Sequence, residues 1–197
     1  MQTDTIDYSA ARKAMIDSQL RTSGVNEPFV LERMAAVARE DFVPSAARAV
    51  AYIDRAIPLD NGHRLAAPLF YGMVLAEAKP DAGDRVLVVD SGAGYLPELL
   101  RPLVASVEVI TPADAVTGAR TQGGYTLLVI DGAVEAVPAS LVRCLEPGAR
   151  AVTGIVTNGV TRLAVGRRTG DDVALLPLAE IGIPRLGEFD QPKGWSF

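Results

Sequence analysis

The chain carries one cysteine, Cys144, one histidine, His63, and one tryptophan, Trp195, in 197 residues. A single cysteine excludes an intrachain disulfide and a cysteine-based zinc site, and a single histidine is too few for a histidine metal cluster. A Cys144–His63 pair would join positions 81 residues apart and has nothing else to support it; within Leu141-Val-Arg-Cys-Leu145 the ordinary reading is a buried core thiol. Clusters of Lys and Arg are also lacking. With a net charge of -5 and a pI near 4.9, the chain has no basic patch with which to grip nucleic acid. No apolar run reaches membrane-spanning length and no charged-then-apolar leader opens the chain, so the expectation is a cytoplasmic protein without a membrane segment. Repeats, low-complexity stretches and linkers are missing too. That predicts a single domain over 1–197, with a helical segment at 1–62 placed before a sheet-containing core at 63–197.

What is present is the periodicity of an α/β protein. Tyr8, Ala11, Met15, Ile16 and Leu20 recur at helical spacing within Asp7 to Arg21, and Gly24 stops them. Asn26 caps a second predicted helix whose face is Phe29, Val30, Met34 and Val37, and Ala46 to Tyr52 forms a short helical turn. Ile53 to Gly62 reads as irregular. A helix is predicted over Leu69 to Ala78, with Pro68 at its start. Apolar runs at Val86 to Val89 and Tyr125 to Asp131 suit parallel strands buried on both faces, and Ser106 to Ile110 and Arg150 to Val156 read as further strands. Helices are predicted at Leu96 to Leu103 and Pro138 to Leu145, and a loop at 112–124. Gly159 to Val165 and Val173 to Leu176 alternate more strictly and read as an antiparallel pair at one edge.

The organising stretch is Asp84 to Tyr95. An apolar strand empties into Asp90-Ser-Gly92-Ala-Gly94 and then into a helix. In open α/β sheets such a turn lies at the carboxyl end of the first strand, where glycines let a ligand approach the backbone and a helix start offers N–H donors. The pattern is a G-x-G-x-G whose first glycine is an aspartate, and a tight turn without a ligand explains it equally well.

Several phrases, in order along most of the chain, carry more specific information. They are Met15-Ile-Asp-Ser-Gln-Leu-Arg-Thr-Ser-Gly-Val25, Arg39-Glu-Asp-Phe-Val-Pro44, Ala51-Tyr-Ile-Asp54, Val86 to Tyr95, Val129-Ile-Asp-Gly-Ala-Val-Glu135 and Gly187-Glu-Phe189. Together they resemble the protein-L-isoaspartate (D-aspartate) O-methyltransferase family. The resemblance implies a Rossmann-like, doubly wound methyltransferase sheet, mostly parallel with an antiparallel edge pair, under an N-terminal helical cap. It implies methyl transfer from S-adenosylmethionine to the carboxylate of an isoaspartyl residue in a peptide or protein. The cofactor would be held by Asp90, Ser91, Gly92, Ala93, Gly94, Tyr95 and Asp131, and the substrate met by Leu65, Ala67, Pro68, Leu69 and the N-terminal helices. Asp131 either lines that pocket or caps a turn.

The same resemblance exposes departures. The family's Ser or Thr that bonds the substrate carboxylate falls at Ala66, its acid beside the methionine end at Val88, its first loop glycine at Asp90 and its ribose-binding acid at Thr111. Glu108 is the nearest carboxylate, and alternation with Val107 and Val109 turns it to the opposite face, where a solvated edge charge is an equal reading. Only 13 residues separate Thr111 from Tyr125. A helix, a further strand and an adenine-contacting loop would need roughly 25 to 30, given that a crossover alone takes about 10 to 12. The family's third strand is therefore expected to be missing. Ser106 to Ile110 then becomes an edge, which invites a homodimer near residues 105–125. Two functions follow: an active isoaspartyl methyltransferase, or a non-catalytic relative that has lost the cofactor and keeps a binding face. Ala66, the altered glycine loop and the shortened connection favour the second. Trp195 and Phe197 are expected to dock as a hydrophobic tail on the sheet.

Overall fold

The computed structural model describes residues 6–118 and 122–191. Six strands form one sheet in the order β4-β3-β5-β6-β7-β8: β3 (Arg85–Val89), β4 (Ser106–Ile110), β5 (Tyr125–Val134), β6 (Leu145–Thr157), β7 (Val160–Thr169) and β8 (Asp172–Glu180). The four strands β4, β3, β5 and β6 pair in parallel, and β7 and β8 complete the sheet antiparallel, as the alternation predicted. β1 (Ile57–Pro58), inside the stretch read as irregular, pairs with β2 (Arg64–Leu65) just beyond it in a separate two-stranded ribbon. Its turn is closed by Leu59 N–H donating to the His63 carbonyl at 3.0 Å.

Alternation along the central strands divides the interior in two. Val86, Val88, Leu127 and Val129 face a core shared with the N-terminal helices and α3 (Pro68–Ala78). Leu87, Val89, Leu128 and Ile130 face the opposite core, with Leu141, Cys144 and Leu186. Cys144 is thus the buried thiol expected of it. Burial on both faces is why these runs show no polar alternation, and each such side chain contributes about 1.5–3 kcal/mol.

The helical segment begins with α1 (Tyr8–Met15), capped by Asp7, whose carboxylate accepts the Ala10 N–H at 3.0 Å. It continues through a π turn and a 3-10 turn to Gly24, which takes the left-handed conformation that a stop needs (φ +90°). In α2 (Pro28–Ala36) the capping position is Glu27 rather than Asn26, because Pro28 occupies the first helical position. Arg39 ties this segment to Ala66 and to α3. Fully buried, it donates to the Ala51 carbonyl (2.7 Å) and the Ala66 carbonyl (2.5 Å) between the rings of Tyr71 and Tyr95.

Two other readings are corrected. The loop expected at 112–124 contains α5 (Pro112–Thr117): Thr111 Oγ accepts the Asp114 N–H at 3.1 Å, Pro112 opens the helix and Gly118 ends it at φ +75°. The helix expected over Pro138 to Leu145 shortens to α6 (Ala139–Val142), because Leu145 already pairs with Tyr125 as the start of β6. The connection leaves no strand beyond β4 among the described residues, so β4 is an edge of the sheet. Trp195 and Phe197 lie outside the described residues.

Candidate functional site

Strand β3 delivers Asp90 to the carboxyl edge of the sheet, where its N–H donates to the Ile110 carbonyl at 3.0 Å. Its side chain then turns back into the loop it opens. The carboxylate accepts the Gly92 N–H at 2.8 Å and the Gly94 N–H at 3.0 Å. Gly92 and Gly94 sit at φ +100° and +78°, a region that charges any other residue for its Cβ. α4 (Tyr95–Leu100) starts immediately after. The donors such a loop would offer to a ligand are therefore bonded to the loop's own acid.

A second segment covers the loop from outside. The Asn61 amide donates to the Ser91 carbonyl at 2.8 Å, and its position is such that a Cβ on Gly92 would overlap it. His63 Nδ1 lies 2.9 Å from the same carbonyl. Two cavities border Gly92. One, of about 320 Å3, lies among Phe42, Pro44, Leu59, Asn61 and Ala93. The other, of about 410 Å3, lies among Asp90, Glu108, Ile110, Thr111 and Asp114.

Asp131, at the end of the apolar part of β5, neither lines these cavities nor caps a turn. It is almost completely buried, and its two oxygens accept the Tyr71 hydroxyl at 2.8 Å and the Ser91 hydroxyl at 2.7 Å. Loss of hydration and the nearby Asp90 carboxylate push its pKa up to about 7, against the Ser91 and Tyr71 hydrogen bonds. Burial raises Asp90 as well, opposed by the Gly94 and Gly92 amides and by His63. Two acids thus share one end of the sheet, and hydroxyls hold one of them inside.

The remaining sequence-predicted residues separate into groups. Ser91 is buried on Asp131, and Gly92, Ala93 and Asp90 border cavities. Tyr95 points into the core, edge-on to Tyr71 (ring centroids 5.0 Å apart) and Phe42, with its hydroxyl 3.7 Å from Met34 Sδ. Leu65, Ala66 and Pro68 are buried, and the Ala66 N–H donates to the Tyr71 hydroxyl at 3.2 Å. Ala67 and Leu69 instead line a cleft of about 560 Å3, with Phe70, Ile183 and Pro184 as floor and Arg55 and Arg64 alongside.

Glu108 bonds the Tyr125 hydroxyl and also borders the cavity beside Asp90, so it is more than a solvated edge charge. Sequence reasoning did not single out Asn61, Tyr71 or Asp114. The Asn61-Gly62 pair is a turn signal, and Thr111-Pro-Ala-Asp114 is a helix-start pattern. Nothing in either says which way the side chain points.

The model of the protein-L-isoaspartate (D-aspartate) O-methyltransferase family matches residues 10–112. The protein-L-isoaspartate O-methyltransferase of Aeropyrum pernix is 31% identical over a 229-position alignment that covers 98% of this chain and 85% of the relative. That of Roseiflexus castenholzii is 28% identical, over 92% of this chain and 94% of the relative. Among solved structures, a Plasmodium falciparum protein assigned to the protein-L-isoaspartate O-methyltransferases, in complex with S-adenosyl-L-homocysteine, superposes with a TM-score of 0.71 at 14% identity. The match covers 93% of this chain and 100% of that one. A second protein-L-isoaspartate O-methyltransferase superposes at 0.68 with 15% identity, over 89% of this chain and 66% of that chain. At such identities the superpositions speak for the fold.

Proposed function

The chain belongs to the protein-L-isoaspartate O-methyltransferase family, and on that premise we propose that it is a member whose own side chains hold the S-adenosylmethionine position shut: a polypeptide-binding relative without methyl transfer. The observation that carries this reading is the Asp90 carboxylate on the Gly92 and Gly94 amides. Where the family has its first loop glycine, this chain has an acid that takes the loop's donors and sets a negative charge where the cofactor's carboxylate would lie. Asn61 fills the space over Gly92. These residues do not fit the methionine end of the cofactor as they stand.

The transfer reaction makes simple demands. A carboxylate is already a nucleophile and a sulfonium a good leaving centre, so the protein has to align the two and exclude alternatives. Here the aligning hydroxyl is absent at Ala66, whose backbone is held by Tyr71 and Arg39 instead. What the chain retains is the cleft beside Ala67 and Leu69. Its apolar residues, with Asp54, Arg55 and Arg64 among the lining, suit an extended segment that carries an apolar side chain between polar groups.

The second reading is the family's reaction itself, methyl transfer from S-adenosylmethionine to an isoaspartyl carboxylate. Its support is the near-complete coverage by relatives named for that activity. Asp90 would then serve the cofactor's sulfonium or ammonium group, and Glu108 and Asp114, which line the cavity beside it, are the carboxylates that would be available to the ribose hydroxyls. Titration of the full chain with S-adenosylhomocysteine separates the two readings. No heat and no thermal stabilisation support the closed site, and a micromolar dissociation constant overturns it.

A further inference from the structure

Three segments far apart in sequence meet over the glycine loop. The β1–β2 turn supplies Asn61 and His63, the loop supplies the Ser91 carbonyl, and the 3-10 turn Gly187–Phe189 supplies Glu188. His63 spans the other two: Nδ1 is 2.9 Å from the Ser91 carbonyl oxygen, and Nε2 is 2.8 Å from Glu188 Oε1. A carbonyl only accepts, so Nδ1 carries a proton. Nε2 faces the Glu188 carboxylate, so the ring ties the loop carbonyl to Glu188 through both of its nitrogens.

Neither end of this bridge is loose. The turn is braced internally by the Asn61 side-chain oxygen, which accepts the His63 N–H at 3.0 Å, and by the Leu59 N–H on the His63 carbonyl. The segment bearing Glu188 is fastened to the end of β5. Ala133 N–H donates to the Pro184 carbonyl at 2.8 Å and Leu186 N–H to the Ala133 carbonyl at 2.9 Å. Leu186 packs so closely on Gly132 that a Cβ there would come within 2.6 Å of its Cγ.

We infer that the β1–β2 turn is an autoinhibitory strap: the His63–Glu188 bridge buckles it to the C-terminal segment, and while it is fastened Asn61 stays on Gly92 and the glycine loop stays closed. The inference rests on the closed-site reading above and adds what controls it. Cover over the loop is thus controlled by a contact outside the loop, so a ligand or partner that engages Glu188 would lift Asn61 from Gly92 and leave the loop held by Asp90 alone.

The test is amide hydrogen exchange by NMR on the full chain, comparing wild type with Glu188→Gln and, separately, His63→Ala. Unfastening the strap exposes the amides that Asp90 holds, so exchange at Gly92 and Gly94 should rise by about tenfold or more in both variants while β3 amides from Val86 to Val89 stay unchanged. Asn61→Ala, which leaves the bridge in place, should speed Gly92 without freeing the Leu59 amide. Unchanged exchange at Gly92 and Gly94 in both bridge variants overturns the strap, and so does a rise shared equally by β3, which would mean general loosening. Because the readout needs no cofactor, it is independent of the S-adenosylhomocysteine titration: binding by wild type would sink the closed-site reading, and unchanged exchange would sink the strap.

Discussion

The Asp90 carboxylate accepts the backbone N–H of Gly92 at 2.8 Å, an acid closing the turn that begins with it. The bond joins residues two apart and is shielded by the Asn61 amide above it. A hydrogen bond to a charged acceptor contributes roughly 1.5–3 kcal/mol. Asp90→Ala removes both amide bonds and should lower Tm by about 6 °C or more, at roughly 2–4 °C per kcal/mol in a chain of this size. Asp90→Asn keeps an acceptor and should cost less. Thermal melts of the two variants check the order, and equal costs would contradict it.

Gly92 is constrained twice, by its positive φ and by Asn61. Gly92→Ala should therefore destabilise by about 1–3 kcal/mol. Asn61→Ala in the same chain should recover part of that loss, since it relieves the overlap and leaves the backbone strain. Denaturant unfolding of the single and double variants measures the recovery. A strictly additive pair would mean that Asn61 does not press on Gly92.

Asp131 gives a pH signature whose sign follows from its environment. Its folded-state pKa, about 7, lies above the ordinary carboxylate value of 3.8, so the folded chain holds a proton that the unfolded chain releases. The stability tied to that proton is complete below about pH 4 and is lost as pH rises towards 7. Asp131→Asn should flatten this part of the profile. At pH 8 it should raise Tm above wild type by about 3 °C or more, on the order of 1 kcal/mol. A variant less stable than wild type at pH 8 would contradict it.

Tyr71 joins Asp131 to the Ala66 amide through one hydroxyl. Tyr71→Phe leaves a buried acceptor and a buried donor short of a partner and should cost about 1–3 kcal/mol. The cost should be smaller in an Asp131→Asn background, which a double-mutant cycle by denaturant unfolding would show.

The second strand offers an oligomeric prediction. β4 is an edge among the described residues, with Val109 41% exposed, and an unprotected edge is a template for pairing. We propose a homodimer through this edge. Light scattering at micromolar concentration should give twice the 20.8 kDa chain mass, and a monomer would contradict it.

The sheet was legible because burial on both faces writes itself as continuous apolar runs, and Val86 to Val89 could hardly be anything else. Helix α5 was overlooked because glycines at 118, 123 and 124 outweighed a cap and a proline that mark a start only if the chain has room to turn. The site was legible as an address and not as an arrangement. Asp90 stood out as the wrong residue at a glycine's place, yet only three-dimensional geometry turns its carboxylate back onto Gly92 and Gly94. Tyr95 follows the glycine loop directly, and the pitch of α4, which the local sequence does not reveal, points its ring at Tyr71. Asn61 and His63 lie about 30 residues before the loop they cover. No local pattern announces a contact of that kind.

If the chain's own acid and its β1–β2 turn occupy the cofactor position, the chain has no room for the cofactor's demethylated product either. Calorimetric titration of the full chain with S-adenosylhomocysteine tests it most directly, with Asp90→Gly combined with Asn61→Ala as the opened comparison. The account predicts no measurable heat for wild type at millimolar ligand and gained affinity for the opened variant. Micromolar binding by wild type, unchanged in that variant, would contradict it.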